Sequence, residues 1–156
     1  MAGSARPEHV TFRQLIRAIR RRCTIASPLT SRPRIVVIPE QDLIALTRIF
    51  GASAASVKVV ANSRFAKLHR ALATTRRNRI YLAAGSEFFL RDPKLMLHEY
   101  YHVLAQWNCG ELSAGRYVWE SLRNGYRRNC YEIAACRFAD AHLAEFENLR
   151  RGGGST

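Results

Sequence analysis

The sequence predicts an α+β domain in which a small mixed β-sheet packs against a buried motif helix and a long C-terminal helix. Three observations predict it. Two runs rich in β-branched residues flank a helical segment, a capped helix apolar on most sides begins at Pro93, and apolar residues recur at helical spacing from Cys130 to Leu149. A chain of 156 residues makes one domain with enough buried surface to be stable, and no internal repeat interrupts it.

The elements follow in order. Residues 1–30 read as a basic amphipathic arm, because Phe12, Leu15, Ile16 and Ile19 fall at helical spacing among Arg13, Arg17, Arg20, Arg21 and Arg22. The domain proper is expected over 31–150. Arg34 to Pro39 and Ser56 to Val60 read as strands, with a short helix from Gln41 to Phe50 between them. Ala73 to Asn78 reads as a turn-rich basic run, followed by a third strand at Arg79 to Ala83. Asp92-Pro93 supplies an N-cap with proline at the first helical position, and Asn108-Cys109-Gly110 a stop, which predicts a helix of about fifteen residues. Leu95, Met96, Leu97, Val103, Leu104, Ala105 and Trp107 make that helix apolar on most sides, so it should be buried. Arg116 to Asn124 reads as a further helix ended by Gly125. The last helix carries Ala135, Cys136, Ala139, Leu143 and Phe146 on one stripe, and residues 151–156 form a flexible tail.

His98-Glu99-Tyr100-Tyr101-His102 lies within the buried helix. Residues four apart stand on one helical face, so both imidazoles can reach one ion, while Glu99 projects from a neighbouring direction. That spacing is the one by which two histidines bind zinc and the glutamate acts as general base. Two histidines and a glutamate on a buried helix need partners, since unpaired buried polar groups are costly. The bland alternative makes them core residues bonded to backbone, with Glu99 in a surface ion pair.

A zinc site of this kind takes a third protein ligand and leaves its fourth position to water. A histidine four or six residues after His102 would serve, but Gln106 and Asn108 occupy those positions. Glu111, Glu120, Glu132, Asp140 and His142 remain. Glu132 leads because it extends the apolar stripe of the last helix by one turn, and a carboxylate on a buried face calls for a cation. Its competing role is a capping box with Asn129, and Glu120 is the next candidate ligand.

Leu97-His98-Glu99-Tyr100-Tyr101-His102-Val103-Leu104-Ala105-Gln106, followed by Glu132-Ile133-Ala134-Ala135-Cys136-Arg137-Phe138-Ala139, resembles the gluzincin-type zincins of the ImmA/IrrE sort. Those proteins carry His-Glu-x-x-His and a later helix with Glu-x-x-Ala-x-x-Phe-Ala that supplies the third zinc ligand. Ala45 to Ala139 is also similar to the zincin-like domain associated with bacterial extracellular contractile injection systems. The counterparts here are Ile49-Phe50-Gly51-Ala52, Arg79 to Gly85, the motif helix and Asn129-Cys130-Tyr131-Glu132. The chain departs from these patterns at Cys130, where proline is expected, and at Cys136, where aspartate is frequent.

The resemblance implies a zincin-like metallopeptidase holding one Zn2+ on His98, His102 and Glu132. In it, Glu99 takes a proton from water and returns it to the leaving amine. Tyr126, Tyr131 and His142 are the candidate transition-state stabilisers. It also implies an edge strand, here Arg79 to Ala83, on which an extended protein or peptide substrate pairs by β-strand addition.

Charge is the other informative property. Lys and Arg outnumber Asp and Glu by 25 to 12, for a net of +13, and residues 1 to 36 hold eight Arg against one acid. Residues 6–34 are therefore expected to offer a non-specific contact to polyanions. The alternative function is a non-catalytic zincin-fold anchoring module that uses this basic arm on nucleic acid or an acidic partner. No finger or aromatic-rich sheet accompanies the charge, which argues against base-specific reading. The first apolar stretch is broken by arginines and no run is long enough to span a bilayer, so neither a secretory signal nor a transmembrane segment is expected. Cys23, Cys109, Cys130 and Cys136 lack CxxC spacing and are expected to be reduced thiols in a cytoplasmic protein, secretion by a non-classical route remaining open.

Overall fold

The computed structural model describes residues 32–69, 71–125 and 128–152. The expected basic arm, Tyr126 and the last four residues of the tail lie outside them.

The fold is mixed α+β with a small four-stranded sheet. Its elements are β1 (Arg34–Val36), α1 (Glu40–Phe50), a 3-10 turn (Ala52–Ser56), β2 (Lys58–Ala61), α2 (Arg64–Leu68), β3 (Ala73–Arg76), β4 (Arg79–Leu82), α3 (Glu87–Leu90), α4 (Pro93–Tyr101), α5 (Ala114–Asn124) and α6 (Cys130–Arg150). The strands lie in the order β1-β2-β4-β3, antiparallel at both edges and parallel between β2 and β4. Val59, Ala61, Ile80 and Leu82 turn one face of the two central strands into the core.

The strand before the motif helix is thus central, and the expected edge at Arg79 to Ala83 is corrected. The edge belongs to β3, inside the run read as turn-rich. Ala73-Thr74-Thr75-Arg76 alternates weakly and ends in charge, so its sequence resembles a loop, but β4 offers it a ladder with Arg76 opposite Arg79 and only Arg77-Asn78 as the turn. Asn78 takes a left-handed conformation there, with φ 56°.

The motif helix forms as its sequence dictates. The Asp92 side chain accepts from the Leu95 backbone N–H at 2.9 Å, and Pro93 occupies the first turn. From His102 to Trp107 the helix widens into a π-helical turn, closed by Asn108 N–H on the Val103 carbonyl at 2.9 Å. Leu95, Met96, Leu97, Tyr100 and Val103 are buried around it. Asn129 caps α6 by accepting from the Tyr131 N–H at 3.0 Å. Ala135 and Ala139 are fully buried on α6, and such small side chains let two helices approach closely. Phe138 stacks on Phe50 of α1 at 5.0 Å between centroids, tying α1 to the same core.

At the far end of α6, the Arg150 guanidinium reaches the buried carboxylate of Asp42 on α1 at 2.6 Å and donates to the Leu90 carbonyl at 3.2 Å. Burial pushes the Asp42 pKa up more than Arg150 pulls it down, so desolvation costs this carboxylate more than its partner returns. Arg150→Met leaves a buried charge without its cation and is expected to lower stability by about 2–3 kcal/mol at neutral pH, less than the roughly 3–5 kcal/mol of a fully buried pair because Arg150 is partly exposed. Asp42→Asn should cost less, within about 1 kcal/mol. The sign with pH follows from the raised pKa. Protonating Asp42 in acid removes the unpaired charge, so the Arg150→Met deficit in urea unfolding shrinks as pH falls. A pH-independent deficit would contradict this account.

Candidate metal centre

Three side chains converge where α4 and its π-helical continuation cross α6. His98 is on α4, His102 opens the π-helical turn and Glu132 lies in the first turn of α6; all three are buried. His98 Nε2 and His102 Nε2 are 3.0 Å apart. Glu132 Oε2 lies 3.5 Å from the former and its Oε1 3.4 Å from the latter. One ligand atom from each residue falls within 4.8 Å of the others, an arrangement able to hold a metal ion, and no second such group of three occurs among the described residues.

The surroundings set the state of these groups. Gln106 Nε2 donates to the Tyr131 carbonyl at 3.0 Å, which fixes the amide orientation, because its oxygen would be repelled there. Gln106 Oε1 therefore faces His102 Nδ1, 2.7 Å away, and must accept from it. With the proton on Nδ1, the neutral His102 ring presents a lone pair at Nε2 toward Glu132 and His98, the form in which imidazole binds metals. On the other imidazole, Cys136 Sγ lies 3.7 Å from His98 Nδ1. Burial first, and then the Glu132 charge, push the Cys136 thiol up to about 11, so it stays protonated at neutral pH.

Electrostatically the cluster is a buried acid held by its two imidazole neighbours. Burial alone would raise the Glu132 pKa, but its bonds to His102 and His98 hold it well below the usual carboxylate range. Burial works against charge on His102, and Glu132, Glu99 and Gln106 outweigh it to make that ring more basic than usual. Glu99 is buried close enough to His98, His102 and Glu132 to feel all three, and desolvation leads in pushing its carboxyl up. A divalent cation between these groups would supply positive charge beside the buried carboxylates.

Among the carboxylates the sequence offered, Glu132 is the one that reaches the histidines. Glu120 accepts from Asn124 at 2.8 Å on the surface, Asp140 pairs with Lys94, and Glu111 is exposed. Two of the proposed stabilisers have their polar tips elsewhere. The Tyr131 hydroxyl donates to the Glu111 carbonyl at 3.3 Å, and His142 pairs with Glu145 at 3.0 Å while its ring lies against Phe138.

The tyrosine that does reach the cluster is Tyr117 on α5, whose hydroxyl donates to Glu132 Oε1 at 2.9 Å. Burial and the neighbouring Glu132 charge drive its pKa well up, so it remains a donor. Sequence reasoning missed it because only the approach of α5 to the first turn of α6 brings it close. Gln106 had a signal that could have found it, since it stands four residues beyond His102 on the same face.

No protein-family model, curated protein or solved structure matches the chain.

Gln106→Leu removes the acceptor at His102 Nδ1 and is expected to weaken metal binding about 10–100-fold, whereas Gln106→Glu, which restores an acceptor, should lose less. Competition with a chromophoric chelator measures both. Equal affinity for wild type and Gln106→Leu would mean that the amide does not set the tautomer.

Proposed function

We propose that the chain is a zinc-dependent hydrolase of peptide bonds with a zincin-like fold. The observation that carries this reading is the buried set of two imidazole nitrogens and one carboxylate, with a second buried carboxylate, Glu99, on the same helix. Tetrahedral zinc with bonds of about 2.0–2.1 Å sets its ligand atoms about 3.3–3.4 Å apart. The two imidazole nitrogens here are 3.0 Å apart, and the Glu132 carboxylate presents one oxygen to each of them, at 3.5 Å from His98 and 3.4 Å from His102. Two nitrogens and one oxygen suit zinc, and three protein ligands are the number it keeps when it does chemistry, the fourth position being left open.

When bound by His98, His102 and Glu132, zinc would act as a Lewis acid, lowering the pKa of water toward neutrality and polarising a carbonyl. The chain's own residues do the rest. Glu99 takes the proton of the attacking water and delivers it to the leaving amine. Gln106 holds His102 in its ligating tautomer, and Tyr117 holds one oxygen of Glu132, leaving the other toward His98.

The sheet supports a polypeptide substrate. Ala83 N–H donates to the Leu72 carbonyl, so by antiparallel alternation Thr74 and Arg76 bond to β4 while the backbone groups of Ala73 and Thr75 face away from it. No strand pairs with that outer edge among the described residues. The Thr75 hydroxyl accepts from Trp107 Nε1 at 3.1 Å, which fastens the edge strand to the π-helical turn that begins at His102. An extended chain adding to β3 would gain main-chain bonds independent of its sequence.

Glu99→Gln is expected to retain one zinc per chain and to lose cleavage of an unfolded protein by about 10²–10⁴-fold. Chelation should abolish wild-type cleavage and added zinc restore it. Wild type that binds zinc yet cleaves nothing across a broad peptide library would favour the anchoring module instead.

A further inference from the structure

Lys58, Arg79 and Arg76 stand in one row across three adjacent strands, Lys58 partnered with Arg79 in the parallel ladder and Arg79 with Arg76 in the antiparallel one. Neighbouring strands are about 4.8 Å apart, so three cations fall within roughly 10 Å, and like charges directly opposite one another destabilise a sheet. Arg77, in the turn, adds a fourth. None of the four has an acidic partner among the described residues. All four line one cleft of about 680 Å³, together with Tyr81 and Trp107. Ser113, the N-cap of α5, lines it too, so the positive end of that helix adds to the same potential.

Two elements run from the cleft to the metal centre. The π-helical turn begins at the ligand His102 and ends at Trp107 in the cleft, and α5 begins at Ser113 in the cleft and brings Tyr117 to Glu132 one turn later. The open edge of β3 also ends there, at Arg76.

We propose that this cleft binds an acidic segment of the polypeptide substrate, one carrying Asp or Glu side chains or phosphorylated residues next to the bond presented to the metal centre. The proposal rests on the peptidase reading for the occupant being a polypeptide. Nucleic acid fits less well. Base stacking needs free aromatic faces, and the Arg76 guanidinium already lies over the Trp107 ring at 4.9 Å and the Phe65 ring at 5.1 Å. The Trp107 N–H is committed to Thr75. The cations also form one compact cluster around a hairpin turn instead of a track along which a phosphate backbone could run.

The test is binding, so it does not depend on turnover. Full-length Glu99→Gln protein, which leaves peptides intact, is titrated into a fluorescent peptide carrying a run of glutamates and into the same peptide with glutamines, and anisotropy is read. The acidic peptide should bind about tenfold tighter at low salt, the margin shrinking as salt rises. Adding Lys58→Gln, Arg77→Gln and Arg79→Gln should abolish the margin. Arg76 is left in place because it packs between two rings. A control with Arg48→Gln, Arg123→Gln and Arg137→Gln removes as many exposed charges elsewhere and should keep the margin. Equal binding of the two peptides, or equal loss in both charge variants, would overturn the cleft as an anion site. Preferential binding of a single-stranded oligonucleotide, lost only in the cleft variant, would overturn the choice of a polypeptide. If wild type proves unable to cleave while the acidic peptide still binds through the cleft, the peptidase reading fails and the anion site stands.

Discussion

A carboxylate held between two imidazoles in the seam of two helices is the constraint around which the domain is arranged. Glu132 is only 8% exposed, and an ionised carboxylate at that depth costs several kcal/mol unless positive or donating groups surround it. Those groups come from different elements: His98 and His102 from α4 and its continuation, Tyr117 from α5. The helices must therefore hold register to within a hydrogen bond's tolerance. Asp92 fixes where α4 begins, Asn129 fixes where α6 begins, and the alanines at 135 and 139 allow the approach. Each of these devices is ordinary alone. Together they fix the position of a polar cluster that an all-apolar seam would not need.

The π-helical turn has a comparable consequence. Its wider winding keeps His102 and Gln106, four residues apart, in contact, and lets Gln106 bond to the Tyr131 backbone on α6. One amide thus orients a histidine and tethers the helix that carries the opposing carboxylate. At the other end of the turn, Trp107 bonds to β3, and Arg76 of β3 lies over its ring. Histidine and amide on one side, indole and edge strand on the other, are joined through the adjacent residues 106 and 107, so displacement of β3 would be felt at the imidazole nitrogens.

What the sequence disclosed and what it hid divide along a physical line. Helical spacing and caps are local, so the motif helix, its N-cap and the inward stripe of α6 were legible, and with them His98, Glu99, His102 and Glu132. Contacts between elements were not, and Tyr117 illustrates the gap: nothing local distinguishes it from Tyr131, which adjoins Glu132 in sequence. Yet neighbouring residues point about 100° apart on a helix, so Tyr131 was poorly placed to share a face with Glu132, and His142, ten residues on, lies about 15 Å farther along the axis. Proximity along the chain was the wrong measure for either. The edge strand was hidden for another reason, since Ala73 to Arg76 has only weak alternation and little bulk and becomes a strand because β4 lies beside it.

The chain's net charge of +13 looks hostile to a divalent cation, and the distances involved resolve the conflict. Exposed charges separated by more than about 8–10 Å are largely screened at physiological ionic strength, whereas buried ones in contact are not. An ion at the helix seam would feel chiefly Glu99 and Glu132, two acids in a low-dielectric pocket, and only weakly the arginines on the surface. An acidic polypeptide approaching from solvent meets the opposite field, that of the cations around the β3–β4 turn. A negative interior behind a positive rim would let one small domain attract a cation and an anionic chain without either field cancelling the other.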